Sequence, residues 1–258
     1  MRNNVSYLRS APTGPVMEET IGACFDRAAR QFADQEALVV SHQRLWWTYR
    51  QLRVRVDSLA IGLLGLGLAP RDRIGIWSAN CAESVLTQFA AAKAGLILVN
   101  IDPAYGSVEL EYVLKKAGCR ALILAPSSKS TNHFDILRSV APEIDWCAPG
   151  KLEATRVPAL KSVIRLGTGS TRGMVRFDDL VALRTPMEKQ ALFAVGSILR
   201  PTDPIAIQFT SSTGGIPQPA TLTHRDILKN GFFAGEPLNL TESDGSWWHA
   251  ARNLEAQL

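Results

Sequence analysis

Apolar residues along the first third of the chain recur with two different periods. Over 18–32 and again over 49–68 they return every three or four positions, which is typical of amphipathic helices. Thr20 is a suitable N-cap for the first of these helices. Two short apolar runs between the helices, at 37–40 and 45–49, are separated by a polar turn and predict a β-hairpin.

From residue 73 onward, apolar runs and helical periods alternate regularly. The predicted strands are 73–78, 96–100, 120–125, 160–166, 204–209 and a returning strand at 220–223. The predicted helices are 82–94, 108–117, 134–140, 177–183 and 224–232, while the pattern over 185–200 is indecisive. Strands joined through helices need right-handed crossovers, and apolar strands need cover on both faces. The pattern therefore predicts an α/β fold with a mostly parallel, doubly wound sheet.

Composition and charge fit a globular chain and argue against several functions. The chain has 258 residues, of which 46% are hydrophobic and 20% charged. The net charge is +4, but the basic residues are scattered and do not interleave with aromatic ones, so no nucleic-acid partner is expected. The four cysteines and four histidines lack ligand spacing, so no metal site is expected.

The location of the protein is predicted from its apolar stretches. Residues 1–15 are polar and lack the apolar core of a signal peptide. The longest apolar stretch, 59–68, is too short to cross a bilayer and contains three glycines. These features predict a cytoplasmic protein without a transmembrane segment.

One polar segment directly follows a predicted apolar strand. In open α/β sheets, ligands bind at the carboxyl ends of the strands, which is where this segment begins. Its candidate ligand-binding residues are Thr210, Ser211, Ser212, Thr213, Gly214, Gly215, Pro217 and Gln218. Hydroxyls and closely approaching glycine amides can bind phosphate oxygens, although the same composition also describes an exposed turn. The segment lacks the lysine motif of a P-loop, and no dinucleotide fingerprint occurs elsewhere.

The segment resembles the T-S-G-T-T-G-x-P-K-G-A loop of the adenylate-forming superfamily, and more narrowly that of its fatty acyl-CoA synthetases. Two further parts of the sequence carry the resemblance. The first comprises residues 72–77 and 91–95, and the second comprises residues 99–105. The likeness extends over residues 18–244.

The resemblance implies a two-step reaction that uses ATP, magnesium and coenzyme A. A fatty acid carboxylate attacks the α-phosphate of ATP, and the thiol of coenzyme A then displaces AMP. The loop would hold the β- and γ-phosphates. Because the carboxylate is itself the nucleophile, the resemblance assigns no catalytic residue to this chain.

Four loop positions depart from the family pattern. Ser212 replaces a glycine, Gly214 a threonine, Gln218 the lysine and Pro219 another glycine. Gln218 can donate a hydrogen bond but brings no charge, and charge-assisted bonds are about twice as strong. Outside the loop, Gly106 stands where close relatives tend to carry arginine.

The likeness ends at residue 244, which divides the chain into an N-terminal extension (1–17), a partial AMP-binding domain (18–244) and an unrelated tail (245–258). The adenine motif and the catalytic lysine of the family are missing, and an interrupted sheet would expose an edge suited to self-association. Three functions follow: a synthetase fragment that is inactive alone, a working ligase with a misread sequence, or a non-catalytic nucleotide- or partner-binding module.

Overall fold

A computed structural model describes residues 18–128, 131–182, 186–210 and 217–235. The helices in this part of the chain are α1 (Ile21–Gln31), α2 (Tyr49–Gly65), α3 (Ala82–Ala94), α4 (Ser107–Ala117), α5 (His133–Val140), α6 (Phe177–Leu180), α7 (Pro186–Ile198) and α8 (His224–Gly235). The strands are β1 (Glu36–Val40), β2 (Leu45–Thr48), β3 (Arg73–Trp77), β4 (Ile97–Ile101), β5 (Cys119–Leu124), β6 (Ser127–Ser128), β7 (Thr131–Asn132), β8 (Ser162–Arg165), β9 (Val175–Arg176), β10 (Pro204–Thr210) and β11 (Gln218–Thr223).

A seven-stranded sheet forms the centre of the molecule, in the order β11-β10-β4-β3-β5-β8-β9. Every neighbouring pair is parallel except β10 and β11, which form a hairpin. The predicted mostly parallel α/β sheet is confirmed, as is the hairpin of β1 and β2 near the start of the chain. The short strand β9 and the helix α7 were not predicted.

Helices cover both faces of this sheet, which makes it doubly wound. On one face α1, α2, α3, α6 and α7 contact one another around a core that includes Leu59, Ile74 and Leu96. On the other face α4 and α5 pack over a second core that includes Leu114 and Leu137. The central strands are buried by both cores, which explains their continuous apolar sequences.

Local capping interactions fix where the first two long helices begin. The Thr20 hydroxyl accepts a hydrogen bond from the Ala23 amide at 3.2 Å, as predicted for the N-cap of α1. Thr48 and Gln51 form a reciprocal capping box at the start of α2, immediately after β2. These caps set the direction in which each helix leaves the preceding segment.

Candidate functional site

The carboxyl ends of β3, β4, β5, β8 and β10 lie at one edge of the sheet because these strands are parallel. Thr210 ends β10 at this edge, and Gln218 begins the return strand opposite it. The predicted ligand-binding residues Ser211, Ser212, Thr213, Gly214 and Gly215 lie outside the described residues. The structure therefore places the two ends of the loop at the predicted edge.

Tyr112 of α4 contacts both ends of this loop. Its hydroxyl donates a hydrogen bond to the Pro217 carbonyl at 3.2 Å, where the chain returns from the loop. Its ring lies edge-on to the Phe209 ring, with 6.3 Å between the centroids, just before the loop begins. The antiparallel pairing of Thr210 with Gln218 closes the loop at its base. The two ends of the loop are thus held close together by these contacts.

The topological switch point of the sheet lies between β3 and β5, because α3 leaves β3 on one face and α5 leaves β5 on the other. Two fully buried rings fill this crevice: Trp77 and His133 stack with 3.9 Å between centroids. His133 Nδ1 lies 3.1 Å from the Ala125 carbonyl oxygen, and Nε2 lies 3.0 Å from the Pro103 carbonyl oxygen. These contacts place packed side chains at the switch point. The parts of the edge beside β10 and β8 are therefore the places to look for a ligand site.

The segment before α4 also reaches this edge. The Gly106 amide donates to Glu109 Oε2 at 3.1 Å, which caps the helix from within. Next to it, burial and then the nearby carboxylates of Asp102 and Glu109 raise the pKa of Tyr105 above its usual value. Tyr105 therefore stays a neutral hydroxyl at physiological pH and can only take part in hydrogen bonding near β4.

The cysteines are unsuited to nucleophilic chemistry. Burial raises the pKa of Cys119 to about 12 and also raises the pKa of Cys24, Cys81 and Cys147. A raised pKa keeps a thiol protonated, and the thiolate is the reactive form. Within the described ranges, no group of His, Cys, Asp and Glu residues is arranged to hold a metal ion. No helix in these ranges has the length and apolar character needed to cross a membrane.

A cavity of about 470 Å³ lies at the opposite edge, where the strands begin, and its lining includes Pro70, Gly95, Asp203 and His224. His224 Nδ1 accepts a hydrogen bond from the Ile21 amide at 3.2 Å, which requires a neutral ring nitrogen. Burial lowers the pKa of His224 from 6.5 to about 4, although the carboxylate of Asp203 acts in the opposite direction.

We expect this histidine to make the protein less stable in acid. Because the pKa of His224 is higher in the unfolded chain than in the folded one, the unfolded state takes up the proton first as the pH falls. Its contribution is complete above the unfolded pKa of 6.5 and is lost as the pH falls toward 4. Between about pH 7.5 and about pH 5 the free energy of unfolding should drop by about 2 kcal/mol through this group.

The check is urea unfolding at both pH values for the wild type and for His224→Asn, whose side-chain oxygen can still accept from the Ile21 amide. The difference in pH dependence between the two proteins isolates His224 from other titrating groups. Equal pH dependence in both proteins would contradict the prediction.

The described residues define a doubly wound α/β protein in which β10 ends at the carboxyl edge of a mostly parallel sheet. The family model for the AMP-binding enzyme matches residues 25–251. The chain therefore belongs to the AMP-binding enzyme family, within the adenylate-forming acyl-CoA synthetase superfamily that the loop sequence resembles.

Similar proteins support this assignment. The chain is 39% identical over 237 residues to the mitochondrial medium-chain acyl-CoA ligase ACSF2 of Mus musculus, covering 92% of this chain and 38% of that protein. It is 36% identical over 230 residues to the ACSF2 of Danio rerio, covering 89% and 38%. The solved acetoacetyl-CoA synthetase of Streptomyces lividans shares the fold, with a TM-score of 0.71 and 22% identity over 88% of this chain and 34% of that one. The chain thus spans about two fifths of the length of the curated relatives it matches.

Proposed function

We propose that the loop from Thr210 to Gln218 binds the phosphates of ATP, and that this chain carries part of the nucleotide site of a fatty acyl-CoA synthetase. The observation that supports the proposal most directly is the placement of Thr210 and Gln218 at the carboxyl edge of the parallel sheet, in a chain of the AMP-binding family. Magnesium would share the charge of the phosphates, and coenzyme A would be the second substrate of the family reaction.

The chemistry of the loop argues that the chain does not complete this reaction alone. Gln218 is exposed at the start of β11 and stands where the family pattern has a lysine, so the loop lacks that positive charge. Pro219, the next residue, has no amide hydrogen to offer a phosphate oxygen. With fewer and weaker donors, the loop should bind ATP weakly and stabilise charge in the transition state poorly.

Gln218→Lys is therefore expected to strengthen binding of magnesium–ATP. The new ammonium group adds a charge-assisted contact, so the dissociation constant should fall by about ten-fold. Isothermal titration calorimetry of both proteins measures this change. A matched control is Gln31→Lys at the exposed end of α1, which adds the same charge outside the loop and should leave the affinity within about two-fold. Equal affinities for Gln218→Lys and the wild type would count against the loop as the ATP site.

The alternative is a non-catalytic module that binds a nucleotide or a partner protein. Several large apolar side chains of α7 are exposed, namely Met187, Phe193 and Ile198, and such side chains suit contact with another protein. The two functions differ in turnover. A catalytically competent chain would release pyrophosphate when given ATP and a fatty acid, whereas a module would bind ATP and release none.

Three sequence-based expectations stay predictions: the cytoplasmic location, the domain boundaries after residues 17 and 244, and self-association through a sheet edge. For the last, β11 is an end strand of the sheet, and its residues Gln218–Thr221 are exposed. Pro219 lies in this strand and cannot donate a ladder hydrogen bond, which weakens the edge as a pairing surface.

A further inference from the structure

Arg165 is a buried cation at the carboxyl end of β8, and no carboxylate among the described residues forms an ion pair with it. Only 9% of its surface is exposed, and its Nε is fully buried without a hydrogen-bond partner in the described residues. The ion pairs of the described residues include none that involves Arg165. The guanidinium lies over an aromatic ring, with its central carbon 5.4 Å from the Phe134 centroid. Buried charges are ordinarily paired, so this guanidinium is suited to bind an anion.

The carboxylates of the neighbouring segments do not supply that anion. Asp135 of α5 and Asp145, which follows that helix, both pair with Arg138. Glu143 instead accepts a hydrogen bond from the Thr155 amide at 2.9 Å. These three carboxylates are therefore engaged with other groups and form no ion pair with Arg165 in the described part of the chain.

The loop that follows Arg165 lies directly on its guanidinium. A Cβ atom added to Gly169 would stand 3.1 Å from Arg165 Nη1, so the loop backbone lies against the cation. Gly167 and Gly169 have φ values of +82° and +92°, a conformation that glycine adopts without strain. Thr168 and Ser170 are exposed between and after them. The backbone at Gly169 thus lies against the guanidinium, and two hydroxyl residues flank this glycine, at the same edge that carries the loop after β10.

We propose that Arg165 and the loop 167–171 form a second anion site that binds a phosphate group. The donors here are hydroxyls, glycine amides and an arginine, which suit a tetrahedral phosphate with several oxygen acceptors. Three strands separate β8 from β10, so the site lies about 19 Å from the loop after β10 by strand spacing. It does not depend on the proposed ATP site, because none of its residues belongs to that loop.

Inorganic phosphate is the probe for this site, titrated into the protein by calorimetry at constant ionic strength. We expect saturable binding to the wild type and a dissociation constant about ten-fold to a hundred-fold larger in Arg165→Met, because one charged donor is lost while the apolar contact with Phe134 is retained. Arg30→Gln removes the same charge from an exposed position on α1 and should bind phosphate as the wild type does. Equal affinity in the wild type and Arg165→Met, or no saturable binding to the wild type, overturns the proposal.

A second variant keeps the test decisive if Arg165→Met does not fold. The double variant Thr168→Val with Ser170→Ala removes two hydroxyls from exposed positions and leaves Arg165 in place. Its dissociation constant for phosphate should be about ten-fold larger than that of the wild type. An unchanged constant means that the loop does not contact the anion, which overturns the proposal as well.

The same titration with AMP distinguishes the source of the phosphate group. If a nucleotide supplies it, AMP should bind the wild type about ten-fold more tightly than inorganic phosphate, and the Arg165 variant should lose this binding. If free phosphate is the ligand, AMP should bind no more tightly than inorganic phosphate. If AMP binds the wild type and the Arg165 variant equally, AMP binds at another site. The titration with inorganic phosphate then decides the proposal alone.

Discussion

Gly173→Ala is expected to lower the free energy of unfolding by about 4 kcal/mol, the sum of a strained backbone and a steric clash. Gly173 has a φ of +75°, where a residue with a Cβ atom is disfavoured. A Cβ at this position would stand 1.9 Å from the Ile144 carbonyl oxygen and 3.2 Å from the Cys147 sulfur. The clash involves backbone, so two packed segments would have to separate.

Gly67→Ala is the matched control for this prediction. Gly67 has a φ of +83°, similar to that of Gly173, but nothing lies within 4 Å of the position its Cβ would take. Only the backbone cost applies, so the loss should be about 1 kcal/mol. Urea unfolding measures the loss in free energy of unfolding for each variant. The difference between the two losses is the cost of the steric clash at Gly173. Equal losses would show that Gly173 is not packed against Ile144 as described.

Lys93→Met is expected to cost about 3 kcal/mol, because removing one partner of a buried ionic cluster leaves uncompensated charge. Lys93 lies on α3, and its ammonium group contacts Asp26 of α1 at 2.7 Å and Asp57 of α2 at 2.5 Å. The lysine side chain is only 11% exposed. Without the ammonium, two carboxylates from different helices would face each other in a half-buried site.

The control for this variant is Lys115→Met, in a lysine whose ion pair with Glu111 lies on the surface of α4 and whose side chain is 50% exposed. Exposed pairs of this spacing contribute about 0.5 kcal/mol. Thermal and urea unfolding should therefore separate the two variants by more than about 2 kcal/mol. If both lose the same small amount, Lys93 does not join the three helices as the structure indicates.

The sequence predicted the sheet well because its central strands obey a simple rule. Strands such as β3 and β5 are covered on both faces, so they are apolar except near their first residues and stand out from the helical periods around them. The helix α7 was not predicted because its apolar residues include the consecutive run 191–195, which marks no single face. Of its described side chains only Leu192 is buried, whereas Met187 and Phe193 point to the surface.

Some features of the site could be recognised from the sequence and others could not. The loop from Thr210 to Gln218 was found because its hydroxyls and glycines are consecutive. The stacked pair of Trp77 and His133 was not, because the two residues lie 56 positions apart and meet only through the sheet topology. Arg165 could have been noticed in the sequence, because it lies between the apolar residues Ile164 and Leu166 and is followed by glycines and hydroxyl residues. The pattern alone could not show that this arginine is buried and unpaired.

The most direct test of the proposed ATP site is hydrogen exchange of the whole chain with and without magnesium–ATP, read by mass spectrometry. The account predicts that ATP slows exchange in peptides that span Phe209 to Gln218 and the middle of α4, where Tyr112 contacts the ends of the loop. Peptides lining the cavity at the opposite edge, around Asp203 and His224, should not change. Protection at that opposite edge alone, or no protection at a saturating ATP concentration, would contradict the account.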